Sequence, residues 1–201
     1  NYLPLKVYGS EISYFTGKLE NYLKYKEIPY ERIAASARMG AKLKKNAGVV
    51  QIPTVNLADG RWMSDSTPII EWFEQRYTEK SVIPCEPRLQ CLMWLLEDFA
   101  DEYMPRIHMH TRWGNEQNNR TMGHRIARGF TFGNPSMTSQ NLGPIISNRQ
   151  EGFNKHLGLS DSNIKPNMDQ QILDLLAILE EHFKHYQFLL GFKPSMADFA
   201  L

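Results

Sequence analysis

Residues 5 to 34 place a strand, a helix and a second strand in direct succession. Leu5-Lys6-Val7-Tyr8 has strand character and is closed by Gly9. Ile12, Phe15, Leu19, Tyr22 and Leu23 then recur at helical spacing, which predicts an amphipathic helix from about Ser13 to Lys26. Ile28-Pro29 ends it, and Tyr30 to Ala34 reads as the next strand. A tight turn cannot join two parallel strands, whereas a helical crossover can. This stretch therefore predicts a parallel pair with a helix packed on one face, and an α/β start to the chain.

The next elements extend that start. Residues 36–48, with Lys42, Lys44 and Lys45, are polar and poorly periodic, and predict a short helix and loop. Thr54 to Leu57 and Arg61 to Met63 flank Ala58-Asp59-Gly60, and Asp-Gly between strand-like runs predicts a hairpin. Ser66 opens a further helix, with Ile69, Ile70 and Phe73 on one face. Pro68 falls in its first turn, where a missing N–H costs nothing. The order resembles that of a thioredoxin-like domain, without the redox CxxC. After Glu79 the character changes. Residues 81–87, with Pro84 and Pro87, read as a linker, and everything beyond reads as helical. Leu89, Leu92, Met93, Leu96, Phe99, Ala100 and Tyr103 form one stripe, and Met168, Ile172, Leu175, Leu176, Leu179 and Phe183 another. Residues 129–167, rich in Gly, Asn, Ser and Pro, are either a functional loop or broken helices. The expected organisation is an α/β thioredoxin-like N-terminal domain at 1–80, a linker at 81–87 and an all-α helical-bundle domain at 88–201.

A formal net charge of +1 on 201 residues gives no global field for nucleic acid or an anionic membrane, so neither is an expected partner. No apolar run approaches the ~20 residues that cross a bilayer, and the N-terminus lacks a signal pattern. Cys85 and Cys91 have no CxxC or metal-ligand spacing, and His108 and His110 alternate instead of taking a helical ligand spacing. No metal is expected, and a reducing cytoplasm is the expected location. The chain begins without Met, and its last motif opens a helix with little length left. Both ends are expected to continue beyond this sequence.

Three motifs carry a family resemblance. "VYGSEISYFTGKLENYLKYKEIPYE" resembles the first strand, active-site turn and first helix of the glutathione S-transferases. "QIPTVNLADGRWMSDSTPIIEWFEQRY" resembles their glutathione-binding strand, hairpin and helix, and "LLGFKPSMADFAL" the capping motif of a late helix. Their order and spacing cover nearly the whole chain. The resemblance implies a cytosolic-type enzyme that binds glutathione as co-substrate and promotes its attack on a small electrophile or a peroxide, the chemistry of detoxification. It also implies a two-fold homodimer, to which Trp62 and Phe73 or Tyr77 are apolar enough to contribute. The alternative class is a non-catalytic binding or interaction module on the same fold.

The resemblance assigns residues as well. A cis Pro53 would expose the backbone N–H and C=O of Ile52 to the ligand's peptide as an added strand. On residues alone, Pro53 is equally an ordinary trans edge-strand proline. Asp65 would meet the ligand's ammonium, and Ser66, at a helix N-terminus, its carboxylate. The same dipeptide also suits a plain N-cap with a neighbouring acid. Gln51 stands where many members carry Lys for the glycyl carboxylate, which leaves Lys44 or Lys45 as a candidate for that charge. Ser13 precedes Lys18 by five residues and sits at the first turn of the first helix, the place of a serine hydroxyl that stabilises the glutathione thiolate. Ser10 and Tyr14 are the alternatives, with Tyr8 also nearby. The wall for a second substrate falls on Tyr103, Arg106, His110 and Trp113, in a segment that Pro105 must kink or end. Ser195 and Asp198 have capping-box spacing, and Met196 and Phe199 then enter a core.

Overall fold

A computed structural model describes residues 2–34, 36, 39–131 and 141–201. The chain divides into two compact units, Asn1–Met93 with Ser195–Leu201, and Trp94–Pro194.

The first unit is a thioredoxin-like α/β layer. Its strands are β1 (Leu5–Gly9), β2 (Tyr30–Ala34), β3 (Thr54–Asn56) and β4 (Trp62–Ser64), in the order β2-β1-β3-β4. The crossover through α1 (Tyr14–Tyr25) makes β1 and β2 parallel, in register from Leu5↔Tyr30 to Gly9↔Ala34. β3 runs antiparallel to both β1 and β4. The hairpin closes at Gly60 (φ +89°), a conformation that needs no side chain, and the Asp59 carboxylate accepts the Arg61 N–H at 3.0 Å. α2 (Met39–Ala47) occupies the polar stretch, and α3 (Ser66–Glu74) follows β4. Leu5 and Val7 of β1, Leu19, Tyr22 and Leu23 of α1, Val55 of β3, and Ile69, Ile70 and Phe73 of α3 are buried as one core. Phe73 is thus spent inside its own unit, which removes it from the surface a dimer would use.

A buried ionic hub ties α1 and α3 to residues 81–82. The Glu74 carboxylate pairs with Lys26 Nζ at 2.8 Å, with the two side chains only 3% and 2% exposed. It also accepts from Tyr22 Oη (2.8 Å), Ser81 Oγ (2.8 Å) and the Val82 N–H (3.0 Å). Burial pushes the Glu74 carboxyl up, but these donors outweigh it and hold the group below its ordinary value. Burial and the carboxylate together push the Tyr22 hydroxyl far up. The Val82 carbonyl in turn accepts the Met196 N–H at 2.9 Å. That bond opens α9 (Met196–Ala200), where the Asp198 carboxylate accepts the N–H and hydroxyl of Ser195 at 2.7 and 2.8 Å. Met196 is buried and Phe199 packs on the Tyr22 and Tyr25 rings, so the capping motif completes the α/β unit.

α4 (Pro87–Asp98) leaves the first unit and runs into the second. Pro105 neither ends nor simply kinks the helix. It has no N–H to return to Asp101, and the preceding turn widens into a π segment, Phe99–Tyr103, in which the Met104 N–H reaches the Phe99 carbonyl. α5 (Met104–Trp113) continues from there. Much of the expected 129–167 connection is helical: α6 (Glu116–Phe130), α7 (Gly143–His156) and the start of α8 (Lys165–Phe183). Residues 132–140 of that stretch lie outside the described residues. α6 and α7 meet closely at Gly123, where a Cβ would stand 2.1 Å from Ser147 Oγ and 2.7 Å from the Gly143 carbonyl. Ile107, Leu159 and Met168 form a small core with Met104, Met109 and Ile172 beside it. The two expected stripes are only partly covered. Met93 and Ala100 are buried, whereas Leu89, Leu92, Phe99, Leu176 and Phe183 are exposed.

Candidate functional site

One rung of the sheet gathers the site. Tyr8 of β1 pairs with Thr54 of β3, and Thr54 pairs with Ser64 of β4. From Tyr8 the chain runs on to Ser10 and Ser13, from Thr54 back to Ile52 and Pro53, and from Ser64 on to Asp65 and Ser66. The Thr54 hydroxyl pins the rung, donating to the Gln51 carbonyl at 2.7 Å and lying 2.6 Å from Ser64 Oγ. The Asp65 N–H donates to the Pro53 carbonyl at 3.2 Å.

Each piece has a definite local form. The Ile52–Pro53 peptide is cis, as is Leu3–Pro4. Pro53 is buried, Ile52 half-buried and Gln51 exposed. Asp65 has φ +81°, a left-handed conformation that an L side chain adopts only under constraint, and its carboxylate faces solvent. Ser66 follows as the first residue of α3, fully buried, and its Oγ has no hydrogen-bond partner among the described residues. A buried hydroxyl left unpaired costs about 1–3 kcal/mol, so its place invites a polar ligand atom.

The candidate hydroxyls differ in what they already do. Ser13 is the N-cap of α1, its Oγ accepting the Thr16 N–H at 3.3 Å and its N–H donating to the Ser10 carbonyl at 3.0 Å. As an acceptor at the cap, Ser13 Oγ keeps its own O–H to donate, at the positive end of a 12-residue helix. The Tyr14 hydroxyl donates to the Ala200 carbonyl in α9. The Tyr8 hydroxyl accepts from Lys42 Nζ at 2.7 Å, and Trp62 packs on the same ring at 5.1 Å. Ser10 is half-buried, with its N–H 3.4 Å from Thr16 Oγ1.

Sequence reasoning missed the contacts of two lysines. Lys18, 2% exposed, donates from Nζ to Thr67 Oγ1 at 2.8 Å. The available signal was a lone cation among the apolar positions Phe15, Leu19 and Tyr22 of α1. Lys42 of α2 is turned over the Tyr8 and Trp62 rings, and Lys44 and Lys45 are exposed.

In the second unit the predicted wall residues part company. Tyr103 and Arg106 are exposed, and Tyr103 Oη donates to Gln171 Oε1 at 2.6 Å. Trp113 is buried, and His110, 6% exposed, meets Asp169 Oδ1 through Nε2 at 2.6 Å, linking α5 to α8. Among the described residues no group of His, Cys, Asp and Glu has the arrangement of a metal site, and no helix is long and apolar enough to cross a membrane.

Residues 7–81, which contain the whole rung and every loop that leaves it, match the family described as "Glutathione S-transferase, N-terminal domain". That match assigns the N-terminal part of the chain, and it alone, to a glutathione S-transferase domain. Solved structures extend the likeness to the full fold. A glutathione S-transferase from Rhodospirillum rubrum is 15% identical, with 98% of this chain and 74% of that one covered at a TM-score of 0.63. A Tau class glutathione S-transferase from mango, Mangifera indica, is 16% identical, with 100% and 73% covered at a TM-score of 0.63. A glutathione S-transferase of Ceriporiopsis subvermispora, solved in complex with glutathione, is 17% identical, with 100% and 82% covered at a TM-score of 0.61. No curated protein sequence matches the chain. As a glutathione S-transferase fold, the chain has the thioredoxin-like domain first and the mostly helical region after it.

Proposed function

We propose that this protein is a glutathione transferase that binds glutathione along the Tyr8–Thr54–Ser64 rung and activates its thiol with the Ser13 hydroxyl. The observation that carries the reading is the pairing of Tyr8, Thr54 and Ser64, from which the chain runs on to Ser13, back to Ile52-Pro53 and on to Asp65-Ser66, within a family-matched domain. The residues fit the ligand. Ile52 is half-buried and its backbone N–H and C=O take no part in the hydrogen bonds among the described residues, so both suit a peptide lying alongside. The exposed Asp65 carboxylate suits an ammonium, and the unpartnered Ser66 Oγ at the α3 N-terminus suits a carboxylate.

The chemistry needs a thiolate, and a free thiol titrates near ~8.5. Lowering that by about two units takes ~2.7 kcal/mol. One charge-assisted hydrogen bond from Ser13 together with the α1 dipole is of that size. Ser13 is not the nucleophile: its O–H donates to the sulfur, which attacks the electrophile. The Tyr14 hydroxyl, already given to the Ala200 carbonyl, is the weaker candidate. Tyr103 and Arg106, at the surface of the second unit, are the proposed contacts for a polar or anionic second substrate.

The test is a pH titration of thiolate absorbance in the glutathione complexes of the wild type and Ser13→Ala. The substitution should leave glutathione affinity nearly intact, raise the bound thiol pKa by roughly one to two units and cut turnover near neutral pH by roughly ten- to a hundred-fold. Coincident titration curves would remove Ser13 from the mechanism. Tight glutathione binding with an unshifted wild-type thiol would favour a binding module.

A further inference from the structure

We infer that Thr16 is a positioning residue for the Ser13 hydroxyl, closing the Gly9–Ser13 turn onto the first turn of α1 and so fixing the direction in which that hydroxyl can donate. The inference rests on the glutathione reading above. Thr16 is fully buried and is the third residue of the helix that Ser13 caps. Its backbone N–H donates to Ser13 Oγ at 3.3 Å. Its own Oγ1 accepts the Ser10 N–H at 3.4 Å. The Ser13 N–H returns to the Ser10 carbonyl at 3.0 Å. These hydrogen bonds join Ser10, Ser13 and Thr16 in a closed ring. On its other side the Thr16 side chain lies against Gly9, where a Cβ would stand 2.4 Å from the Thr16 methyl carbon and 2.7 Å from Oγ1. Glycine is what lets the end of β1 come this close.

Each contact limits a different freedom. A serine oxygen has one O–H and two lone pairs, and the Thr16 N–H takes one lone pair, which leaves the O–H a restricted arc. A hydrogen bond weakens steeply once it is misaligned. The worth of Ser13 to a sulfur therefore depends on where the cap holds its oxygen. The Thr16 side chain holds the cap in place. A threonine in a helix can turn Oγ1 back to a carbonyl three or four residues earlier. Here Oγ1 accepts from Ser10, which ties the strand end to the helix start. Thr16 touches neither sulfur nor electrophile, and its effect reaches the thiol only through Ser13.

The experiment follows thiolate absorbance in the glutathione complexes of the wild type, Thr16→Val, Thr16→Ser, Ser13→Ala and the double variant Ser13→Ala/Thr16→Val. Thr16→Val keeps the shape and the backbone N–H but loses the acceptor for Ser10. It should raise the bound thiol pKa by about half to one unit, cut turnover near neutral pH by about three- to ten-fold and leave glutathione affinity within about two-fold. Thr16→Ser keeps the acceptor and should titrate within about a third of a unit of wild type. In the Ser13→Ala background the same valine should add nothing, as expected of a residue that acts through Ser13. Thr16→Ala, with the same expectations, takes the place of Thr16→Val should the latter not fold. A folded Thr16→Val that titrates like wild type overturns the inference, even if it melts at a lower temperature, and leaves the glutathione reading intact. A valine effect of full size in the Ser13→Ala background overturns it as well. A wild type whose bound thiol stays near ~8.5, or a Ser13→Ala that titrates like wild type, overturns the proposed role of Ser13 itself, and the inference with it.

Discussion

Replacing Lys26 with Met tests what holds the first unit together. The Lys26–Glu74 pair is 2.8 Å long, with both side chains almost wholly shielded from water. Removing one member of such a pair strands a buried charge and costs about 3–5 kcal/mol. Glu74 keeps three other donors, Tyr22, Ser81 and Val82, which places the loss at the lower end, about 3 kcal/mol. Lys26 Nζ also serves the carbonyls of Tyr77 and Glu79, but these lie near enough to the surface for water to replace it. In a chain of this size each kcal/mol moves the melting midpoint by about 2–4 °C, so Lys26→Met should melt roughly 6–12 °C lower. The pH profile adds a second signature. Glu74 titrates below its ordinary value in the folded state, so its contribution is complete above the ordinary carboxylate pKa and is lost as pH falls through the lowered one. Without Lys26 the folded-state value rises, and the acid loss should begin at higher pH. Scanning calorimetry at several pH values measures both. A folded variant within about 1 kcal/mol of wild type, with the same acid limb, would refute the reasoning.

Two further outcomes follow from the second unit. Gly123→Ala should destabilise by about 1–3 kcal/mol in denaturant unfolding, because the new Cβ would meet Ser147 Oγ at 2.1 Å and the Gly143 backbone at 2.7 Å. Burial, aided by Arg112, pushes the His108 imidazole down to about 4 from the ordinary value of 6.5. Its neutral form is favoured in the fold, so stability should be complete above about pH 6.5 and decline as pH falls towards about 4. His108→Gln should flatten that part of a pH series of unfolding midpoints.

The α/β unit was legible because its signals are local. Five apolar positions at helical spacing and Ser13 marked α1, and the helix runs from Tyr14 to Tyr25 with Ser13 as its N-cap. Asp59-Gly60 marked the hairpin, and Gly60 has the positive φ that such a turn requires. The cis Ile52–Pro53 peptide and the start of α3 at Ser66 were legible through motif order. The contact of Lys18 was not, because it is made with Thr67, 49 positions away, and no local pattern announces it. The helical region was read less well. Pro105 predicts a kink or an end of the helix, but a π turn absorbs the missing donor. The Gly- and Asn-rich stretch at 129–167 suits a loop and broken helices equally, yet its Gly143 lies where α7 approaches Gly123 of α6. Small residues that permit contact have the same composition as small residues that permit a loop, and sequence alone does not separate them.

The rung at Tyr8, Thr54 and Ser64 gives the site a shared origin of coordinates. Every loop proposed to touch the ligand is measured from one line of paired residues, so their mutual spacing is a matter of strand alignment and owes nothing to the length of any single loop. The Ala58–Gly60 turn lies at the opposite end of the β3–β4 ladder, beyond the Asn56↔Trp62 pair. Insertions there leave that origin in place, whereas slipping β3 by two positions would displace Ile52 by about 7 Å along the strand. The hairpin tip is therefore the natural place to graft a tag or a reporter, and Thr54 is the detent that keeps the binding geometry from drifting when it is done.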